Sequence, residues 1–180
     1  MRIKRDDTVA FVIDFQERLY PFIHEYEKLT MNVVRLIKGL NVLGIKMIVT
    51  EQYSKGLGHT IPEIQEALGN YEPVEKSTFS SCGSKEVYDN LIQFEKKNVI
   101  VIGIESHVCV LQTTIDLIAM GYKPVLIEDC VSSRNINDKI IAIERMRQEG
   151  AIVSTYESLL FELCEVSGND MFKAISKIVK

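Results

Sequence analysis

Short apolar runs alternate along this chain with longer segments whose apolar residues recur every three or four positions. Thr8-Val9-Ala10-Phe11-Val12-Ile13 is the first run, rich in β-branched residues and closed by Asp14, and it predicts a strand. Leu29, Val33, Leu36, Leu40 and Leu43 follow at helical spacing and stop at Gly44, which suits the left-handed position just past a helix end. Ile45 to Thr50 forms a second strand, and a longer segment through Gly56, Gly58 and Pro62 leads to a short third strand at Val74-Glu75-Lys76. Ser84 reads as the N-cap of a helix that carries Val87, Leu91 and Phe94 on one face.

Asn98 to Gly103 is apolar on both faces, as a central parallel strand must be. Residues 109–120 give the next helix, stopped by Gly121, and Pro124 to Ile127 is a fifth strand. Ile136, Ile140, Ile143 and Arg147 mark a helix closed by Gly150. Ala151 to Ser154 is a sixth strand, and helical segments finish the chain. Six strands separated by helix-length connections predict a parallel sheet covered on both faces with right-handed crossovers. The expected fold is a three-layer α/β domain, in which a 3-2-1-4-5-6 strand order would make strands one and four neighbours. At 180 residues, with no Pro/Ser-rich linker, repeat or low-complexity tract, one domain over residues 1–180 is expected.

Composition narrows the function. Hydrophobic residues make up 46 % and charged residues 26 %, the balance of a globular protein rather than a disordered one. A net charge of −4 without any run of like charges argues against a nucleic-acid partner. The apolar run after the basic N-terminus ends at Asp14, too short for a signal peptide, and no run is long enough for a bilayer. Cys82, Cys109, Cys130 and Cys164 lie far apart with no C-x-x-C pair, so they are expected as free thiols in a reducing compartment, the cytoplasm.

In open α/β sheets ligands bind beyond the carboxyl ends of the strands. Asp14 follows strand one, Lys76 ends strand three, and Cys109 lies in a tight turn after strand four, so all three fall on that edge. Lys76 starts two strands from Asp14, roughly 10 Å at the ~4.8 Å strand spacing, and its long stem and following loop must bring the amine inward. Cys109 at a helix start beside a cation is expected to have a lowered thiol pKa, with Asp14 taking its proton and nearby backbone N–H groups facing an oxyanion. Each residue also has a plainer reading: Cys109 as a packed core thiol, Asp14 as a helix cap, Lys76 as a solvated surface lysine.

The segment Val99-Ile-Val-Ile-Gly-Ile-Glu-Ser-His-Val-Cys109-Val-Leu-Gln-Thr-Thr resembles the nucleophile segment of isochorismatase-like cysteine hydrolases, the superfamily that includes nicotinamidases. Val12-Ile13-Asp14-Phe15-Gln16 resembles that family's D-x-Q motif, and Glu75-Lys76-Ser77-Thr78-Phe79-Ser80 its lysine motif. The stretch from Thr50 to Glu63 and the segment Asp129-Cys130-Val131-Ser132-Ser133-Arg134 are similar to the isochorismatase-domain-containing branch. The resemblance implies a three-layer α/β/α Rossmann-like sandwich of strand order 3-2-1-4-5-6 and a catalytic triad of Asp14, Lys76 and Cys109. It further implies a non-proline cis peptide between Ile104 and Glu105, an oxyanion hole from the backbone N–H groups of Glu105 and Cys109, and Gln16 in the substrate pocket.

One departure changes the expectation. Nicotinamidases carry an Asp-x-His…His metal site after strand two, whereas this chain offers Gln52, Tyr53 and Ser54 there, with His59 as the region's only histidine. A zinc or iron site takes three or four protein ligands, so no metal and no cofactor is expected. Retention of Cys109 argues against isochorismate as substrate. His107 is placed as a turn-stabilising residue rather than a base, His24 at the surface, and Cys82, Cys130 and Cys164 in packing roles. Hydrolysis of a C–N bond in a small amide-like substrate is the leading expectation, in a homo-oligomer as the resemblance suggests. A catalytically silent member that binds a metabolite or protein partner in the same cleft is the alternative. A nucleotide-binding Rossmann protein has little support, because the turn after strand one lacks Gly-x-Gly-x-x-Gly.

Overall fold

The computed structural model describes residues 2–180. Its six strands are β1 (Thr8–Ile13), β2 (Met47–Gln52), β3 (Val74–Lys76), β4 (Asn98–Ile104), β5 (Lys123–Ser132) and β6 (Ile152–Ser154). All neighbours pair parallel in the order β3-β2-β1-β4-β5-β6, the expected topology. The helices are α1 (Tyr26–Leu43), α2 (Ser54–Leu57), α3 (Pro62–Leu68), α4 (Lys85–Gln93), α5 (Leu111–Ala119), α6 (Ile136–Glu149), α7 (Tyr156–Cys164) and α8 (Asp170–Val179).

Side chains of a strand alternate between faces, and β1 shows how this produces two cores. Ala10 and Val12 pack with Ile100 and Ile102 of β4 beneath α1, α3, α7 and α8. Val9, Phe11 and Ile13 pack with Val99 and Val101 beneath α4, α5 and α6. Because both faces are buried, β1 and β4 read as continuous apolar runs rather than alternating ones.

Local departures from the expected elements have local causes. The end of α1 is as expected, with Gly44 at φ 69°. The Ile45 N–H, however, bonds back to Leu40 O at 2.9 Å, so β2 starts at Met47 and runs on through Gln52. Strand β5 passes its apolar stretch and, after a register shift against β4, pairs Val131 and Ser132 with Gly103 and Ile104. Ser84 occupies the N-cap position of α4 but its side chain makes no capping bond. The segment expected only as a long connection after β2 contains α2 and α3. Among the described residues no helix is long and apolar enough to cross a membrane.

Candidate active site

The carboxyl edge of the sheet is built outward from β1. Ile13 lies opposite Thr50 of β2 on one side and Gly103 of β4 on the other. The next residue, Asp14, turns the chain at φ 54°, a left-handed conformation that Asp tolerates better than most residues. Its N–H still donates to Thr50 O at 3.1 Å, while its carbonyl accepts from Gln16 N at 2.8 Å. The carboxylate is 2 % exposed. Oδ1 accepts from Thr50 Oγ1 at 2.7 Å, and Oδ2 accepts from Lys76 Nζ at 2.6 Å.

Lys76 lies opposite Gln52 at the end of β3. Its side chain is fully buried and passes β2 to reach Asp14, which resolves the two-strand separation. Besides Asp14, the ammonium donates to Gln52 Oε1 at 2.7 Å and to the carbonyls of Thr78 and Phe79, both at 3.2 Å. The loop that follows β3 therefore wraps its own lysine head group. A charge this deeply buried needs its partners, because desolvation alone is worth several kcal/mol.

Cys109 sits in a π-helical turn, Ser106–Val110, between β4 and α5. The peptide before the turn, Ile104–Glu105, is cis, and Glu105 O accepts from both Val108 N and Val110 N. The thiol is buried and lies within reach of the charges of both Asp14 and Lys76. The expected lowering of its pKa is overturned. Burial and, next, the negative charge of Asp14 push the thiol up to about 12, against the weaker opposing pull of the Lys76 cation. Such a rise favours the protonated thiol, so forming the thiolate calls for a base beside it.

The surroundings of the turn are polar and paired. Glu105 Oε1 accepts from Arg134 N at 3.2 Å and Arg134 Nε at 3.0 Å, tying the turn to the segment after β5. His107 Nδ1 lies 3.0 Å from Ser133 Oγ, a turn-stabilising contact as expected. His24 is half-buried rather than on the open surface, and its N–H donates to Ser133 O. Cys82, Cys130 and Cys164 are buried free thiols. Gln16 is completely buried. Its Nε2 donates to Gln52 O and Gly58 O at 3.1 and 2.7 Å, and its Oε1 accepts from Gln52 N at 2.7 Å.

Sequence reasoning missed Thr50, Gln52 and the carboxylate of Glu105. Thr50 and Gln52 close β2 on the same edge as the other groups, so the strand-end rule that selected Asp14 and Lys76 would also have selected them. Glu105 was read for its backbone alone. Among the described residues no three His, Cys, Asp or Glu side chains gather as a metal would need. His59 instead pairs with the buried Glu51 at 3.0 Å.

The molecule is thus a doubly wound α/β protein with a buried thiol, carboxylate and ammonium at the carboxyl edge of its sheet. The chain belongs to the isochorismatase family, a family of hydrolases, and residues 8–158 match its isochorismatase domain model. It is 36 % identical over 184 residues to isochorismatase family protein 1B of Dictyostelium discoideum, spanning 99 % of this chain and 89 % of that one. The solved structure of MAR1 ribonuclease from Caenorhabditis elegans is 39 % identical with a TM-score of 0.93, over 99 % of this chain and 92 % of that one. An Escherichia coli protein described as an octameric hydrolase of unknown specificity shares the fold at TM-score 0.93 and 21 % identity, over 99 % and 89 % of the two chains.

Proposed function

We propose that this chain is a cysteine hydrolase that cleaves a C–N bond of a small amide-like substrate through a thioester on Cys109. The convergence of a buried Cys109 thiol with the paired Asp14 carboxylate and Lys76 ammonium at one edge of the sheet supports the reading. With the thiol held protonated, Asp14 takes its proton as the sulfur attacks the substrate carbonyl. The carbonyl oxygen becomes an oxyanion facing the backbone N–H groups of Glu105 and Cys109. Collapse breaks the C–N bond, and the proton on Asp14 passes to the departing amine. Water then attacks the thioester, giving its proton to Asp14 and forming a carboxylic acid, and the sulfur recovers its proton. Lys76 keeps Asp14 oriented and offsets its charge throughout.

The cycle consumes only water and needs no cofactor or metal. Gln16 belongs to the pocket wall, which it shapes by holding Gln52 and Gly58 rather than by a free amide. The reading takes residues 1–180 as one domain, and its four free thiols suit the cytoplasm. Exposed Ile136, Ile140 and Ile141 on α6 support assembly with further copies of the chain.

The name of the C. elegans relative raises RNA as a substrate, but a net charge of −4 supplies little attraction for a polyanion. The test is turnover of a panel of primary amides, with single-stranded RNA included, by the wild type and Cys109→Ala. Amide turnover that Cys109→Ala abolishes, with an acyl adduct on Cys109 seen by mass spectrometry, supports the proposal. Equal turnover by Cys109→Ala overturns it, and no turnover of any amide by a chain whose Cys109 still alkylates favours a binding role in the same cleft.

A further inference from the structure

An ammonium has three protons, and Lys76 Nζ has four acceptors within 3.2 Å: Asp14 Oδ2, Gln52 Oε1, Thr78 O and Phe79 O. Its hydrogen bonds are fully committed, so it meets the thiol mainly as a fixed charge. What sets its position is therefore the geometry of its acceptors. Two of them are carbonyls of its own loop and one is the Asp14 carboxylate. The fourth, Gln52 Oε1, is among the described residues the one side-chain oxygen besides Asp14 that accepts from it, and it is uncharged.

Gln52 is itself held at both ends. Its Nε2 donates to Ser77 O at 3.0 Å, which leaves Oε1 facing the amine. Its backbone N–H and carbonyl are both taken by the amide of Gln16, at 2.7 and 3.1 Å. Gln16 follows Asp14 by two residues and also bonds to Gly58 O. A chain of hydrogen bonds thus runs from the turn after β1, through Gln16 and Gln52, to the amine that faces Asp14. It closes a ring around the carboxylate.

We infer that Gln52 is a positioning residue of the hydrolytic site, fixing the Lys76 ammonium against Asp14 with a neutral oxygen. The inference rests on the nucleophile reading of Cys109. Neutrality matters because the ammonium and the Asp14 carboxylate together carry no net charge. A carboxylate at position 52 would give the site a second anion and oppose thiolate formation further. An apolar side chain there would remove the dipole that offsets part of the ammonium's field, which favours the thiolate, while leaving the amine less firmly placed for turnover.

The experiment measures Cys109 alkylation by iodoacetamide, site by site with mass spectrometry, at several pH values between 6 and 10. Wild type, Gln52→Glu and Gln52→Met are compared, and thermal unfolding of each verifies folding. Gln52→Glu is expected to react about tenfold more slowly at every pH, an alkaline displacement of about one pH unit. Gln52→Met is expected to react faster than wild type yet turn over amides about tenfold more slowly with KM within twofold. A merely structural loss would not move reactivity and turnover in opposite directions. Superposable alkylation profiles for the three folded proteins overturn the inference while leaving the hydrolase reading intact if Cys109→Ala is inactive. Turnover by Cys109→Ala brings down that reading itself, and this inference with it.

Discussion

Lys76 on edge strand β3 and Asp14 at the end of β1 are not on neighbouring strands, yet Nζ lies 2.6 Å from Oδ2 and both side chains are all but sealed from solvent. Strand β2 lies between them, and it contributes a ligand to each: Thr50 to the carboxylate and Gln52 to the amine. The pair is therefore part of the sheet edge rather than an addition to it.

Breaking that pair should destabilise the fold as well as the site. Lys76→Met leaves a buried carboxylate without its cation, a change that costs about 3–5 kcal/mol and lowers Tm by about 10 °C in a chain of this size. Asp14→Asn combined with Lys76→Met removes the stranded charge and keeps a residue tolerant of the left-handed turn. The double variant should recover most of the lost Tm while remaining inactive. Calorimetry of wild type, single and double variants checks this, and a double variant no more stable than Lys76→Met contradicts it.

The buried thiols make stability sensitive to alkaline pH. Burial pushes Cys82 and Cys109 up to about 12 and Cys130 well above its ordinary value. An unfolded thiol ionises near 8.5, so above that value the unfolded chain sheds protons the folded chain keeps. Their contribution is complete below about 8.5 and is lost as pH climbs toward 12. At pH 10.5 this amounts to about 3 kcal/mol for each of Cys82 and Cys109. Urea unfolding at pH 7.5 and 10.5 should show the drop, and Cys130→Ala should shrink it. An equal drop in that variant counts against the assignment.

A second titration lies in the segment between β2 and α3. Glu51 is buried and accepts from Thr60 N and Thr60 Oγ1 at 2.8 and 2.9 Å, while its other oxygen faces His59 Nδ1. Hydrogen bonding to Glu51, and then its charge, raises the pKa of the exposed His59 ring. The folded chain thus binds this proton more tightly than the unfolded one. That stabilisation is fully present below about 6.5, the ordinary histidine value, and is lost as pH rises through the raised folded value. Proton NMR should find His59 titrating above an ordinary histidine, and Glu51→Gln should bring it down. No change in the variant would show that Glu51 is not the cause.

The strands and the placement of Asp14, Lys76 and Cys109 on one edge were legible in the sequence because two-sided burial leaves uninterrupted apolar runs that end at polar residues, whereas the order of the strands came through the family resemblance. What was not legible depends on distance in space. The thiol's pKa was misjudged because a helix start and a cation can be read from sequence, whereas burial and the approach of Asp14 cannot. Gln52 was counted as a missing metal ligand, and its bond to Lys76 emerged only once the loop 77–79 was seen folded over the amine. The helices α2 and α3 were hidden because Gly56, Gly58 and Pro62 read as loop punctuation.

Gly103 offers a test of how closely β1 and β4 must approach. It adopts φ 153° beside the register shift with β5. A Cβ built on it would lie 2.5 Å from Ile13 Cβ and 2.6 Å from Ile13 O. The second contact is backbone, so it cannot be relieved by a rotamer change. Gly103→Ala must therefore push apart the two strands that deliver Asp14, directly after Ile13, and the turn that carries Cys109. Overpacking of this kind costs about 1–3 kcal/mol, and a shift of about 1 Å at a reacting pair can cost about a hundredfold in rate. The expected outcome is a folded protein with a modestly lower Tm and a disproportionately large loss of turnover and of Cys109 alkylation. A variant that loses Tm but retains both activities would mean that the approach of the two strands serves packing alone.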